Sequence, residues 1–267
     1  MHAVLDDMRN TLRMAWVDPA LRALVSQPVF FTAAWAATRP NLTKSFSSGA
    51  ERIRTLALEA VRGERDWVVP AHEESGGAGV ERLRRTIQAI QCAAPRVLLV
   101  VQAWAIMARR RRLPGTGLEE TPARRGVPTW QDGVLALSRS LPPESEAILD
   151  EATVALDSAF PPPALHALAP YPHRLESMWR GLNRAPATPR WRQATLSMRR
   201  VASEVLRSLP HPMDLQWDVL SRRGLSEDRR QVVADHLTAV ASSMPPSVLV
   251  AAAVAESYGV ADVPGDW

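Results

Sequence analysis

Four side chains of this sequence could support acid–base or nucleophilic chemistry, and each also has an ordinary structural explanation. Asp18 precedes Pro19, so it is either a general base or the N-cap of a helix that has proline at its first position. His166 and His173 are seven residues apart, which on one helical face would suit ligands or a general base. Cys92 has no neighbouring His or Lys to favour a thiolate, which indicates a core cysteine.

The remaining histidines do not indicate a metal site. These histidines are His2, His72, His211 and His236. They form neither an H-x-x-x-H nor an H-E-x-x-H arrangement, which argues against a zinc or di-iron site. The glycine-rich segment Gly76-Gly77-Ala78-Gly79 lacks the preceding strand and the lysine of a phosphate-binding loop.

An internal repeat indicates where the candidate residues should lie. Residues 4–35 align without a gap on residues 148–179, at an offset of 144, and 11 of the 32 positions are identical. The identical anchors include Leu5/Leu149, Leu12/Leu156, Pro19/Pro163, Ala20/Ala164, Pro28/Pro172 and Trp35/Trp179. A duplicated unit predicts two similar halves that face each other, with a ligand pocket at their seam. His166 aligns with Arg22, so a polar position at the surface or the seam is the alternative to a catalytic role.

The elements that must position these residues are predicted to be helices throughout. Apolar residues fall at helical spacing in both halves, 145 residues apart: Ile53, Leu56, Ala57, Ala60 and Val61, then Met198, Val201, Ala202, Val205 and Leu206. Ser48 and Glu51 form a capping-box pattern before the first set. Pro95 and the pair 245–246 are each predicted to lie in the first turn of an apolar helix. Asp157 is expected to end the helix that precedes it.

These patterns predict an all-α fold in which a tandem duplication of a helical repeat forms an intramolecular pseudo-dimer. No segment alternates between apolar and polar residues as a strand would. We expect residues 1–112 to form the first repeat and residues 143–267 the second. Residues 113–142 are rich in turn formers and are predicted to be the linker.

Composition and charge limit the expected partners. The net charge is +4 and Lys44 is the only lysine, so arginine supplies almost all the positive charge. The one dense run, Arg109 to Arg112, follows an apolar stretch, where cations also suit a helix C-terminus and can cap its carbonyls. The longest apolar run is shorter than the ~20 residues that span a bilayer, and the N-terminus is unlike a signal peptide. We therefore expect a soluble, cytoplasmic monomer or homodimer with no nucleic-acid or membrane partner.

Several segments resemble the DehI-type 2-haloacid dehalogenases, the group I enzymes that act on D- or on both D- and L-haloacids. They are residues 6–17, 22–24, 28–35, 93–99 and 165–172, which include DDMR, TLRMAWV, AAPRVLL and LHALAPYP in the order expected of that family. The resemblance implies an all-helical tandem duplication. It also implies that an aspartate activates a water, which attacks C2 and displaces halide with inversion and without an ester intermediate. An asparagine positions the water, and no metal or cofactor is needed.

The resemblance also implies that this chain differs at the two residues that do the chemistry. Ala164 stands where the family has the aspartate, and Ala94 stands where it has the asparagine. A methyl group neither accepts a proton nor orients water. Asp18, His166 and His173 remain as candidate substitutes. The residues expected to line a seam pocket are Trp16, Ala94, Phe160, Pro163 and Ala164.

Three hypotheses about function follow. The first is a protein that binds a small organic acid at the seam without hydrolysing a carbon–halogen bond. The second is an enzyme with different chemistry that uses the seam His or Asp residues. The third is an active 2-haloacid dehalogenase, which requires a local shift of the alignment beside the triple proline at residues 161–163.

Overall fold

The two halves of the chain form helices in the same succession, except that the second half has one additional short helix before its last. A computed structural model describes residues 1–69, 77–134, 137 and 140–262. The first half contains α1 (His2–Leu12), α2 (Pro19–Arg22), α3 (Pro28–Thr38), α4 (Lys44–Arg62) and α5 (Ala78–Ala108). The second contains α6 (Pro143–Ala155), α7 (Pro163–His166), α8 (Pro172–Leu182), α9 (Pro189–Ser208), α10 (Trp217–Arg222) and α11 (Glu227–Ser257). The described residues include no strand beyond two isolated β-bridges, so the all-α prediction is confirmed.

Proline and side-chain caps determine where many of these helices begin. Proline occupies the first helical position of α2, α3, α6, α7, α8 and α9, where its missing N–H costs nothing. Thr188 caps α9 by accepting a hydrogen bond from Trp191 N at 3.2 Å. Ser226 does the same for α11 with Arg229 N at 3.4 Å.

Equivalent contacts recur at the offset seen in the sequence. Trp35 Nε1 donates to Asp7 Oδ2 at 2.9 Å, and Trp179 Nε1 donates to Glu151 Oε1 at 2.8 Å. The donor and the acceptor of the second bond each lie 144 residues after those of the first. Arg13 (φ 57°) and Asp157 (φ 48°) are left-handed residues at that same offset, each just beyond a helix. The predicted role of Asp157 at the end of α6 is therefore confirmed. These correspondences support the predicted duplication.

The longest helices of the two halves form the centre of the molecule. α5 and α11, each of 31 residues, pack along one another in opposite directions. Gln102 Nε2 donates to Ala241 O at 3.1 Å, while Arg110 at the end of α5 pairs with Glu227 at the start of α11. α4 and α9 pack against each other and against this pair, so one apolar core extends through both halves. The division at residues 112 and 143 remains a prediction.

Both central helices are long and apolar enough to cross a membrane. The sequence did not predict helices of this length. Most of the apolar stretch of each is buried within the protein. Their hydropathy is therefore explained by their place in the core.

Three predicted helix starts are wrong. Pro95, Pro245 and Pro246 lie inside α5 and α11 rather than in a first turn. An internal proline removes one helical hydrogen bond, but both helices continue because their remaining turns are buried against each other. Ser48 also lies inside a helix, since α4 begins after Thr43 and buries Phe46 in its first turn.

The described part of the linker packs on both halves. Gly126 N donates to Asn10 O at 2.8 Å and Ala123 N to Leu42 O at 3.0 Å, both in the first half. Thr116 N donates to Leu209 O at 2.9 Å in the second half. Backbone hydrogen bonds therefore fix much of this connection across the seam.

Replacing Gly49 with alanine should destabilise the protein through the contact between α4 and α9. A methyl group at Gly49 would lie 2.5 Å from Val205 Cγ2, and overpacking costs ~1–3 kcal/mol, offset in part by the helix propensity of alanine. We expect a net loss of ~1–2 kcal/mol in the free energy of unfolding, measured by urea denaturation. Combining Gly49→Ala with Val205→Ala should restore part of that loss.

Gly79→Ala is the matched control, because a methyl group there would lie 3.8 Å from its nearest neighbour, Tyr171 Oη. Equal stability of the Gly49 and Gly79 variants would contradict a tight approach of α4 to α9.

Candidate functional site

The short helices α2 and α7 bring the repeat-related alanines of the two halves to the central helices. Both pack against α5, and α7 also packs against α11. Ala20 and Ala164 are buried in their first turns, and Ala94 is buried on α5 immediately before Pro95. The positions to which the resemblance assigns the catalytic pair therefore carry buried methyl groups.

The loops that lead into α2 and α7 are held by different partners. Ala15 N donates to Gln131 Oε1 of the linker at 2.8 Å, and its counterpart Ala159 N donates to Ser243 Oγ of α11 at 2.8 Å. Ser158 Oγ also donates to Phe160 O at 2.7 Å. Gln131 is a contributor that sequence reasoning missed, because its partner lies 116 residues away.

The predicted pocket residues divide by their burial. Ala94, Pro163 and Ala164 are buried, whereas Trp16 and Phe160 are half-buried and pack against the core. The two aromatic residues each lie in the loop before a short helix. A pocket bounded by all five remains a prediction.

Asp18 is a buried carboxylate whose geometry confirms the predicted N-cap. Its Oδ1 accepts a hydrogen bond from Ala20 N at 2.9 Å, and the residue is 5% exposed. No ion pair to it occurs among the described residues. Burial raises the pKa of this carboxyl to about 6, although the hydrogen bond from Ala20 lowers it. In the second half Pro162 takes the same place, so α7 has no side-chain cap.

His166 and His173 lie on different helices, so the predicted single helical face is wrong. His166 ends α7 and His173 is in the first turn of α8, because Pro170 and Pro172 interrupt the helix between them. His166 is half-buried, its Nδ1 has no hydrogen-bond partner in the described part of the chain, and burial lowers its pKa. His173 is exposed in a groove between α6 and α8.

Burial also determines the state of Cys92. It lies within α5 and is 5% exposed, and burial raises the pKa of its thiol to about 11. A protonated thiol is a poor nucleophile. The prediction of a core cysteine is confirmed.

Two buried arginines near the end of α1 were not identified from the sequence. Arg96 is 7% exposed, its Nη1 donates to Leu12 O at 2.7 Å, and burial lowers its pKa to about 10. Arg13 Nε donates to Gly126 O at 3.3 Å. Together they line a cavity of about 10 Å³, roughly the size of one water. The sequence signal that could have identified Arg96 is its position directly after Pro95, as a charged residue within an apolar segment.

Among the described residues, no group of three or more His, Cys, Asp or Glu side chains is arranged to hold a metal ion. His72 and Gly76 lie outside those residues.

Comparison with known proteins finds a match to a family model over part of the chain. Residues 15–108 match the family described as "Halocarboxylic acid dehydrogenase DehI". The chain is 26% identical over 102 residues to the "2-haloacid dehalogenase, configuration-inverting" of Pseudomonas sp. (strain 113); the match covers 37% of this chain and a third of that relative.

Solved structures show the same fold over nearly the whole chain. "The complex structure of D-2-haloacid dehalogenase with L-LA" matches with a TM-score of 0.83 at 18% identity. "The complex structure of D-2-haloacid dehalogenase mutant with D-2-CPA" matches with a TM-score of 0.84 at 16% identity. Each covers 96% of this chain and 91% of the solved chain. By the sequence match over residues 15–108 and the shared fold, this chain is similar to the DehI-type 2-haloacid dehalogenases.

Proposed function

We propose that this protein binds a small organic acid at the seam between its halves and does not hydrolyse carbon–halogen bonds. The observation that carries the proposal is that Ala94 on α5 and Ala164 on α7 are both buried. The family resemblance assigns a water-positioning asparagine and a catalytic aspartate to these places. Loss of a general base alone removes roughly 10²–10⁴-fold in rate. A cytoplasmic monomer or homodimer is part of the same proposal.

The half-buried aromatic residues support an apolar pocket for the acid. Trp16 and Phe160 lie in the loops before α2 and α7 and are partly exposed. Ligand pockets are lined mainly by apolar and aromatic side chains with few polar groups. An acid bound there would lie beside the methyl groups of Ala94 and Ala164.

The wild-type protein should release no halide above the buffer rate from either enantiomer of 2-chloropropionate. Halide release is the direct measure, and calorimetric titration with lactate and 2-chloropropionate tests binding. Trp16→Ala should weaken that binding. Turnover at enzyme-like rates would overturn the proposal and favour a shifted alignment at residues 157–164.

A second candidate is an enzyme that uses Asp18 as its base. It is favoured by one observation, the burial that raises the pKa of this carboxyl to about 6. A general base works best when its pKa lies near the working pH. Any activity found at the seam should then be lost in Asp18→Asn, which retains the cap acceptor but cannot take a proton.

A further inference from the structure

A groove apart from the predicted seam pocket contains three arginines, two from the first half and one from the second. It encloses about 290 Å³ between the end of α5, the middle of α9 and one face of α11. Its polar lining includes Arg109, Arg111, Arg199, Ser203, Thr238 and Ser242. No residue of the predicted seam pocket lines it.

The described part of the protein does not neutralise the positive charge of this groove. Arg109 Nη2 donates to Thr238 Oγ1 at 2.9 Å and Arg199 Nη2 donates to Ser242 O at 3.1 Å, both neutral acceptors. Within the described residues, neither these two nor Arg111 forms an ion pair, and no carboxylate lines the groove. Glu227, at the start of α11, pairs with Arg110 and Arg230 and does not line the groove.

Helix capping does not explain these arginines. The sequence suggested that the run from Arg109 to Arg112 caps the last carbonyls of α5, but other donors take them. Ile106 O accepts from the backbone N–H groups of Arg109 and Arg111, and Met107 O accepts from that of Arg110. Ala108 O accepts from Arg230 Nη1 at 3.4 Å. The side chains of Arg109 and Arg111 therefore extend into the groove without serving the helix end.

We propose that this groove binds a small molecule that carries a phosphomonoester group. Guanidinium groups match phosphate oxygens with paired hydrogen bonds, and three of them suit a dianion better than a single carboxylate. The Ser242 hydroxyl makes no hydrogen bond within the described residues and can donate to the same anion. The volume is at the small end for ligand pockets and fits a compact metabolite. No aromatic residue lines the groove, which disfavours stacking of a nucleic-acid base.

Calorimetric titration with inorganic phosphate and glycerol 3-phosphate, at constant ionic strength set with chloride, tests the proposal. We expect saturable binding, tighter for the ester than for acetate or succinate. Arg199→Ala should weaken it about tenfold or more, because a charge-assisted hydrogen bond is lost. Arg199→Lys should give an intermediate loss, since lysine retains the charge without the bidentate geometry.

Arg200→Ala is the matched control, because Arg200 is exposed on the same helix and does not line the groove. Circular dichroism and the melting temperature without ligand check the fold of each variant. Equal losses in Arg199→Ala and Arg200→Ala, or no binding by the wild type at millimolar phosphate, would overturn the proposal. Tighter binding of acetate or succinate than of glycerol 3-phosphate would also overturn the proposal. So would tighter binding of a DNA duplex, if both alanine variants bound that duplex equally well.

Discussion

The paired substitution Ala164→Asp with Ala94→Asn should raise halide release from 2-chloropropionate at least about 10²-fold over the wild-type chain. The aspartate would supply the missing general base, and the asparagine amide would orient the attacking water. Halide release should be measured with each enantiomer separately, together with the configuration of the lactate formed. Inversion of C2 is the expected stereochemistry.

Folding of the double variant needs its own control, since Ala164 is buried. A carboxylate placed there is desolvated, which destabilises the fold and raises the pKa of the new carboxyl. Ala164→Asn with Ala94→Asn has nearly the same shape and no base, so it should fold comparably and stay inactive. A folded Asp variant that is inert towards both enantiomers would contradict the proposal that the seam retains a small-acid pocket.

Replacing Asp18 with asparagine should stabilise the protein at neutral pH and leave its stability unchanged near pH 4. Burial raises the pKa of Asp18 to about 6, whereas in the unfolded chain it is about 3.9. The folded state therefore binds the proton more tightly, and the stability that this proton contributes is lost as the pH rises from about 4 to about 6. At neutral pH the ionised carboxylate costs roughly 3 kcal/mol.

Asparagine retains the oxygen that accepts from Ala20 N and carries no charge. We expect a gain of about 1–3 kcal/mol at pH 7.5, or about 2–4 °C in melting temperature for each kcal/mol. Urea unfolding at pH 7.5 and pH 4 measures both ends of the range. Asp18→Ala separates the effect of the charge from that of the N-cap, because alanine removes both. We expect it to be less stable than Asp18→Asn by about 1 kcal/mol, the contribution of the cap hydrogen bond. If Asp18→Asn gains nothing at pH 7.5, the ionised form is accommodated in the folded protein and its pKa is not raised.

Much of the fold could be predicted from short-range sequence patterns. Apolar residues at helical spacing, in the sets that end at Val61 and at Leu206, predicted α4 and α9. The sequence Asp18-Pro19 predicted the capped start of α2. These predictions hold because a helix is built from hydrogen bonds four residues apart and from side chains that share a face. Proline in the first turn of α5 was a wrong prediction, because a local preference was overridden by the burial of the whole helix.

The chemical state of the candidate residues required the tertiary structure. Asp18 and Asp157 are both aspartates near a helix end, yet Asp18 is buried and Asp157 is exposed. Burial raises the pKa of Asp18, and burial depends on segments far along the chain. For the same reason, no local pattern could show that Arg111 would meet Arg199 and Thr238 in one groove.

The sequence by itself determined the helical class, the repeat and the family resemblance, and it identified alanine at positions 94 and 164. Each of these depends on residue identity and spacing, which need no knowledge of distant neighbours. Only the tertiary structure decided that both alanines are buried, that His166 and His173 lie on different helices, and that three arginines share an unneutralised groove. Desolvation and charge pairing arise where remote segments pack together, so they become defined only when the two halves close on one another.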